Sequence, residues 1–483
     1  MMTNTHDQAM NYVYQQVLQR LLSFFSRAER TALQLMIQRV VVAAGGMERI
    51  GEFKVLTIQS GSRDSCYTLA LLRAAQLSIA GRAPATFQLR VATLRSNGTA
   101  STALENIHRS CSALFLYDDP RVEVLMVDNR EVLPFNHAVP ISQGGRESNR
   151  LNLLMVGHRR TWHGSLDLWD DGYLATGEFY GQIARWDRGV DALVSSDSPR
   201  QQKQFMDGLN RAAAKAGFAM SDQPEISYEQ LFARLDALGS DCYREFYPGH
   251  DQPAWRPAER FEACRRATFI DIHDMLVSNL EERWPLLTEF LKFQPDELTT
   301  QPGDNEYVSF SISAHLRGLQ ACFVHGRTYE AGVVDYVQRL LVMMRRKQLP
   351  EYAYEQALQA YGNPDQRELA AAEAQRCLSM NEAQLVCLLF APFVESGASL
   401  EHFLRQCHPG MLVALPELHR AMQGKPAPEQ VLQWMVDVSG LPVSLIGTLY
   451  RMGPVASGGT AGTGLQADTR VIDVVTGERS TGR

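Results

Sequence analysis

Apolar positions recur near the helical period at the start of the chain: Tyr12, Val13, Val17, Leu18, Leu21, Leu22 and Phe25, then Leu33, Leu35, Met36, Val40 and Val41. Ala43, Ala44, Gly45 and Gly46 close this helical segment. From residue 53 the pattern changes. Lys54 to Ile58 (KVLTI) is a short branched run, followed by a polar loop and by Cys66 to Ile79 at helical spacing, stopped by Gly81 and Pro84. Phe87 to Leu94 alternates as a strand, Thr102 to Cys111 suits a helix, and Ala113 to Tyr117, Val122 to Val127 and Asn152 to Val156 suit further strands. Strands alternating with helices predict an α/β fold with a mostly parallel sheet.

Beyond residue 200 strand signals fade, and amphipathic helices are expected at 203–217, 228–238, 258–293, 328–347, 351–360, 365–378, 381–395, 399–407, 416–423 and 427–437. Pro248-Gly249, Pro302-Gly303, Gly362-Asn363-Pro364 and Pro409-Gly410 punctuate them. The expected organisation is a helical lead-in over 1–50, an α/β domain over 51–200, an all-α domain over 201–452 and a Gly, Ser and Thr-rich flexible tail over 453–483.

Composition narrows the class without naming a function. Apolar residues make up 45% of the 483 and charged residues 21%, the balance of a globular chain of several domains. With 47 basic and 54 acidic side chains the net charge is -7, so no overall basic field attracts nucleic acid. The 8 cysteines are scattered without a C-x-x-C pair, against a disulfide framework, zinc ribbon or iron–sulfur site. The first residues lack the basic and apolar regions of a secretory signal, and no window of 18 apolar residues suits a membrane span. A reduced, cytoplasmic protein is expected.

The most informative stretch is Val55 to Ala74, VLTIQSGSRDSCYTLALLRA. A buried strand runs into Ser60-Gly61-Ser62-Arg63-Asp64-Ser65, and a helix begins at once. Such a loop aims backbone N–H groups, the Ser60 and Ser65 hydroxyls and a helix N-terminus at one point, which suits an anion such as phosphate. Gly61 permits close backbone approach, and Ser62 is small enough not to block it. A ligand-free alternative explains the same residues as a polar turn with Asp64 or Ser65 as the N-cap.

At these residues the chain resembles the PP-loop of the N-type ATP pyrophosphatases, whose signature runs S-G-G-x-D-S after the first strand. Ser60, Gly61, Asp64 and Ser65 match, and Ser62 stands for the second glycine. Tyr67-Thr68-Leu69 and the apolar helix resemble the branch that includes the tRNA 2-thiocytidine synthetases. The resemblance covers roughly residues 50 to 200 and implies a PP-loop, HUP-like fold in which Ser60, Gly61, Ser62, Asp64 and Ser65 grip the pyrophosphate of ATP. A substrate oxygen would attack the α-phosphate, giving an adenylated intermediate and releasing pyrophosphate, with Mg2+ shielding the phosphates.

Members of that branch also carry G-H-x-x-D-D after a later strand. Here Gly157 and His158 match, but Arg160 and Thr161 stand where the acids would fall, with Asp167, Asp170 and Asp171 nearby in sequence. On the resemblance, Asp64 and His158 are the candidate catalytic residues. The thiolating members need cysteine pairs, whereas the first 200 residues hold only Cys66 and Cys111, so sulfur transfer is not expected.

Other constellations compete. Cys66 near a helix start, with Gln59 and with His158 or His163 and Asp167 or Asp170, can be drawn as a thiol triad in which the helix dipole favours the thiolate. A small apolar cysteine packed at the helix base is the plainer reading. The segment His158 to Trp162 with Arg185 and Trp186 mixes basic and aromatic residues, but Asp187 and Asp191 among its neighbours favour a surface ion-pair cluster. No histidine or carboxylate spacing marks a metal centre. Two functions from different classes stay open: an adenylating enzyme that binds ATP and Mg2+, or a non-catalytic PP-loop-like protein whose helical domain engages a protein partner.

Overall fold

A computed structural model describes residues 2–160 except residue 98, and 171–197, 268–275, 280–294, 310–346, 351–361 and 366–452, with isolated positions between 202 and 247. The helices expected at 203–217 and 228–238, the tail over 453–483, and His163, Asp167 and Asp170 lie outside the described residues apart from those isolated positions.

Two helices lead in, α1 (Met2–Phe24) and α2 (Arg27–Ala43). The alternation that follows is β1 (Lys54–Ile58), α3 (Arg63–Ala80), β2 (Gln88–Leu94), α4 (Ser101–Ala113) and β3 (Val122–Asp128). An antiparallel hairpin strand β4 (Glu131–Pro134), then α5 (Gln143–Arg160), α6 (Asp171–Arg185), β5 (Ala192–Ser195) and β6 (Thr268–Asp271) complete the α/β region. The sheet has six strands in the order β4-β3-β2-β1-β5-β6, parallel except for β4. Register is set by Lys54 opposite Gln88 and Ile58 opposite Ala92 on one side of β1, and by Leu56 opposite Leu193 on the other.

Period-2 alternation sorts the two faces of this sheet. Val55, Leu89 and Val91 face α3 and α4, which α1 and α2 cover from outside. Leu56, Ala92 and Leu193 face the other way, toward α5 and α6. Because α3 is covered on all sides, nearly its whole length is buried, including Arg73 and Gln76.

The remaining described helices are α7 (Leu280–Pro285), α8 (Phe310–Leu319), α9 (Tyr329–Arg346), α10 (Glu351–Tyr361), α11 (Gln366–Leu378), α12 (Glu382–Phe390), α13 (Leu400–Cys407), α14 (Leu415–Met422), α15 (Glu429–Ser439) and α16 (Val443–Arg451). α12 and α16 pack on α5, so one apolar core runs from Leu56 through Leu154 to Tyr450. Among the described residues no single helix is long and apolar enough to cross a membrane.

Four expectations need correction. Ala113 to Tyr117 is not a strand: α4 runs to Ala113 and the chain then turns through Phe115 at φ 51°. Asn152 to Val156 is part of α5, whose continuous apolar run reflects burial between the sheet and the C-terminal helices. β6 lies inside the expected helix at 258–293, and with β4 and β5 it joins the sheet unpredicted, each being four residues long. The cap of α3 is Ser62, ahead of the expected Asp64 or Ser65: its side chain accepts from the Ser65 N–H.

The lead-in helices are held by polar as well as apolar contacts. Arg73 Nη1 lies 2.8 Å from Asp119 Oδ2 with both side chains fully buried, and Arg121 Nη2 closes on the same oxygen at 2.7 Å. The Tyr14 ring of α1 lies 5.1 Å from the Arg73 guanidinium carbon and 5.0 Å from that of Arg121. Asp119→Ala would leave Arg73 buried without its carboxylate and is expected to lower stability by about 3–5 kcal/mol. Urea denaturation followed by circular dichroism checks this; a loss under about 1 kcal/mol would mean Arg73 finds another partner or water.

Candidate functional site

The polar turn after β1 sits at the C-terminal edge of the sheet's central strand. From β1 the chain steps outward to β2 and β3 on one side and later to β5 and β6 on the other, so this edge is where the winding reverses. Loops diverge at such a point and leave a crevice for a ligand. The Gln59 N–H still donates to the Ala92 carbonyl at 2.9 Å, and the chain then leaves the sheet.

Gly61 makes the departure. Its φ is +76°, and a Cβ there would lie 2.7 Å from Ala103 Cα and closer still to the Ala103 carbonyl. The glycine therefore lets the turn rest on the first turn of α4, bringing the starts of α3 and α4 together. Three hydroxyls converge on the turn. Ser60 Oγ lies 2.9 Å from Ser62 Oγ and 3.4 Å from Ser65 Oγ, and Ser65 Oγ donates to the Ser62 carbonyl at 3.0 Å. Two buried oxygens at the same edge, Gln59 Oε1 and Thr93 Oγ1, have no hydrogen-bond partner. All five residues proposed from the sequence for phosphate, Ser60, Gly61, Ser62, Asp64 and Ser65, thus lie in one turn and the helix start it feeds.

Charge is layered around it. The Asp64 carboxylate accepts from Arg63 Nε and Nη2, each at 3.2 Å, and lies 3.4 Å from Arg283 Nη1. Burial works against the ionised form of Asp64, but Arg63, then Arg283 and His273, outweigh it and hold the carboxyl below its ordinary range. Arg283, in α7, lies 4.9 Å over the Tyr67 ring, and Tyr67 Oη donates to Glu29, whose carboxylate also caps α2. At the ends of β5 and β6, Asp197 and Asp271 add acidic groups. Desolvation and the charges of Asp64 and Asp271 raise the Asp197 carboxyl, against the Ser195 hydrogen bond and His273. Asp271 Oδ1 accepts from the His273 N–H at 2.8 Å.

Arg283, Asp197 and Asp271 were not singled out from the sequence, and His273 was read there as an ordinary core or surface histidine of a helical segment. A usable signal existed in TFIDIHD at 268–274, a branched run ending in an acid, as strands at this edge do. Among the described residues no group of three or more His, Cys, Asp or Glu side chains is arranged to hold a metal by itself.

His158 is elsewhere in character. It lies in α5, fully buried, 5.8 Å from the Phe393 ring, with neither ring nitrogen hydrogen-bonded. The adjacent Gly157 is pressed against Leu388 of α12. Burial pushes the imidazole down to about 3, so it is neutral and closed to proton exchange with a ligand at the surface. The thiol triad fails on the same ground. Cys66 is fully buried, and burial pushes its thiol up to about 11 despite hydrogen bonds from Ser110 and Ser65, opposite to the thiolate expected from a helix start. The expected ion-pair cluster survives in part: Asp187 pairs with Lys54 and approaches Arg90, while Asp191 accepts from the Lys54 N–H at 2.7 Å.

Compared with known proteins, the chain matches no family model, no curated protein and no solved structure.

His158 carries a pH signature. Its value of about 3 in the fold lies below 6.5 in the unfolded chain, so between these the unfolded state binds the extra proton. Its contribution to stability is complete above pH 6.5 and declines as pH falls toward 3, by at most about 1.4 kcal/mol per pH unit. His158→Met is expected to flatten that decline by up to one proton and to leave stability at pH 7 unchanged or higher, by up to about 3 kcal/mol, since two unsatisfied polar atoms are removed. Urea midpoints across pH 4 to 8 test it; a large loss at pH 7 would show that the ring is satisfied and structural.

Proposed function

We propose that the chain is an ATP-dependent adenylating enzyme of PP-loop type. The observation that carries this reading is the turn Ser60–Ser65: a left-handed glycine, three converging hydroxyls and the start of an 18-residue helix, at the reversal point of a parallel sheet. In this reading the free N–H groups of the first turn of α3 and the hydroxyls of Ser60, Ser62 and Ser65 donate to the phosphates. Arg63 adds positive charge, and Gln59 Oε1 and Thr93 Oγ1 offer polar atoms to a bound molecule or to ordered water.

Mg2+ fits such a site without a protein cage, since it is commonly held by one or two carboxylates together with substrate phosphates. Asp64 is the carboxylate beside the loop, with 42% of its side chain exposed. When bound, the ion would shield the phosphate charges. The protein's own part is positioning: the loop fixes the β and γ phosphates so that a substrate nucleophile meets the α-phosphorus in line with departing pyrophosphate. His158 has no role in that chemistry, and the acid–base partner is left to the substrate or to groups near Asp197 and Asp271.

A second reading, a non-catalytic PP-loop-like protein acting through its helices on a partner, is favoured by one observation. The G-H stretch that should lead to catalytic acids is instead packing between α5 and α12.

Calorimetry is expected to show ATP·Mg binding that is lost on combining Ser60→Ala with Asp64→Ala; equal binding by that variant, or none by the wild type at millimolar ATP, overturns the loop as the site. Pyrophosphate release in the presence of cell extract, absent with the same variant, distinguishes the enzyme from the partner-binding protein.

A further inference from the structure

Residues 135–142, between β4 and α5, are pinned at separate points. Phe135 is buried, and its N–H donates to the Val124 carbonyl at 2.9 Å. The Val139 carbonyl accepts from Arg95 Nη2 at 3.2 Å, and the Ser142 N–H and hydroxyl donate to Asp128 at 2.7 and 2.9 Å. Between Phe135 and Val139 stands His137, whose ring is stacked on that of His108 in α4, with centroids 4.0 Å apart and planes 20° from parallel. Both histidines are half-buried. His108 Nδ1 shares a 3.1 Å hydrogen bond with the Tyr117 hydroxyl, which is also bonded to the buried Cys111, so the ring that receives His137 is fixed in its plane.

Of these pins, the imidazole stack is the one that changes charge near neutral pH. Neutral rings stack as other flat π systems do, and a single imidazolium still lies well over a neutral ring. Two imidazolium ions at 4.0 Å repel each other. The charged and titratable groups around His108 are Glu105 and Arg109 on α4, which pair with each other, Tyr117 from the following turn, and His137 from the loop. Burial, then the charges of His137 and Arg109, hold the His108 imidazole below its ordinary 6.5, against Glu105. Because the folded value is the lower one, the contribution of the stack to stability is complete above pH 6.5 and declines as pH falls.

We infer that the stacked pair His108 and His137 is an acid-sensitive latch, which holds residues 136–141 on α4 while at most one ring is protonated and releases them when both are. Release takes the Val139 carbonyl away from Arg95. Arg95 directly follows β2, two residues beyond Thr93, and leads into α4, on whose first turn the Gly61 backbone rests. The latch therefore connects pH to the edge of the sheet where the candidate site lies. It does not depend on which ligand that site takes.

Amide hydrogen exchange on the full chain at pH 7.5 and pH 5, corrected for the intrinsic effect of pH on exchange, reads the latch in the peptide spanning residues 135–142, with the buried helix α3 as the reference for global opening. In the wild type, protection of that peptide is expected to fall by about tenfold or more at pH 5 while α3 stays protected. His137→Phe and His108→Phe keep a flat ring in the stack but can place only one charge there, so each is expected to hold the loop closed at both pH values. His137→Ala removes the stack and is expected to leave the loop open at both. In the histidine Cε1–H signals of the 13C-labelled chain, the two rings are expected to titrate in steps separated by about one pH unit or more, and His137→Phe is expected to shift the His108 midpoint upward. If His108→Phe does not fold, His137→Phe, which lies on the loop, carries the test alone. Unchanged loop protection at pH 5 in the wild type, an equal loss in α3, or the same loss in His137→Phe as in the wild type overturns the latch.

Discussion

The close approach of the Gly61 backbone to Ala103 is the constraint on which the site depends. A side chain at position 61 would collide with the backbone of α4, and the left-handed φ is itself strained for any other residue. With glycine there, the turn after β1 can fold flat on α4 and enter α3 at once, so that Ser62 caps the helix and the three serine hydroxyls meet. Move the turn outward and the cap, the hydroxyl cluster and the contact between Asp64 and Arg283 would all be displaced together.

Around that turn the polar network is arranged by distance from water. Asp64 stands at the surface between two arginines, Arg283 lies one layer deeper on Tyr67, and Glu29 closes the series as a buried carboxylate held by Tyr67 and by the capping box of α2. Each group has one neighbour that satisfies it and another that orients it. This is how polar groups can be kept nearly dry and still be paired. The acidic groups that close the opposite side, Asp197 and Asp271, come from strand ends, where the parallel sheet delivers side chains to the same edge as the loop.

What the sequence made visible follows the same physics. β1, β2, β3, α3 and α4 were legible because each has its full hydrophobic period within one run, and SGSRDS was legible as a turn because glycine and hydroxyl residues suit a tight passage from a strand into a helix. The run NLLMV misled because burial from both sides erases the helical period, and Leu114 and Leu116 misled because a tight turn can bury alternate residues as a strand does. β5 and β6 were too short to carry a period of their own; they are strands because β1 and one another are there to pair with. Arg283 was illegible for a related reason. Its placement is defined by what lies against it, and nothing local to α7 says that Tyr67 and Asp64 do.

The contrast between the two histidine-bearing regions shows how far the whole chain participates. His158, which matches a motif, has been absorbed into packing between α5 and the C-terminal helices, whereas His273, which matches none, lies beside the Asp64 cluster. The site is therefore not contained in residues 51–200. The lead-in supplies Glu29 and, through Arg39, a bond from Nη1 to the Asp271 carbonyl at 2.6 Å that fixes the end of β6. The segment beyond residue 200 supplies β6 and Arg283. The lead-in helices and the later segment share a continuous core with the loop, so they are built into the α/β fold rather than appended to it.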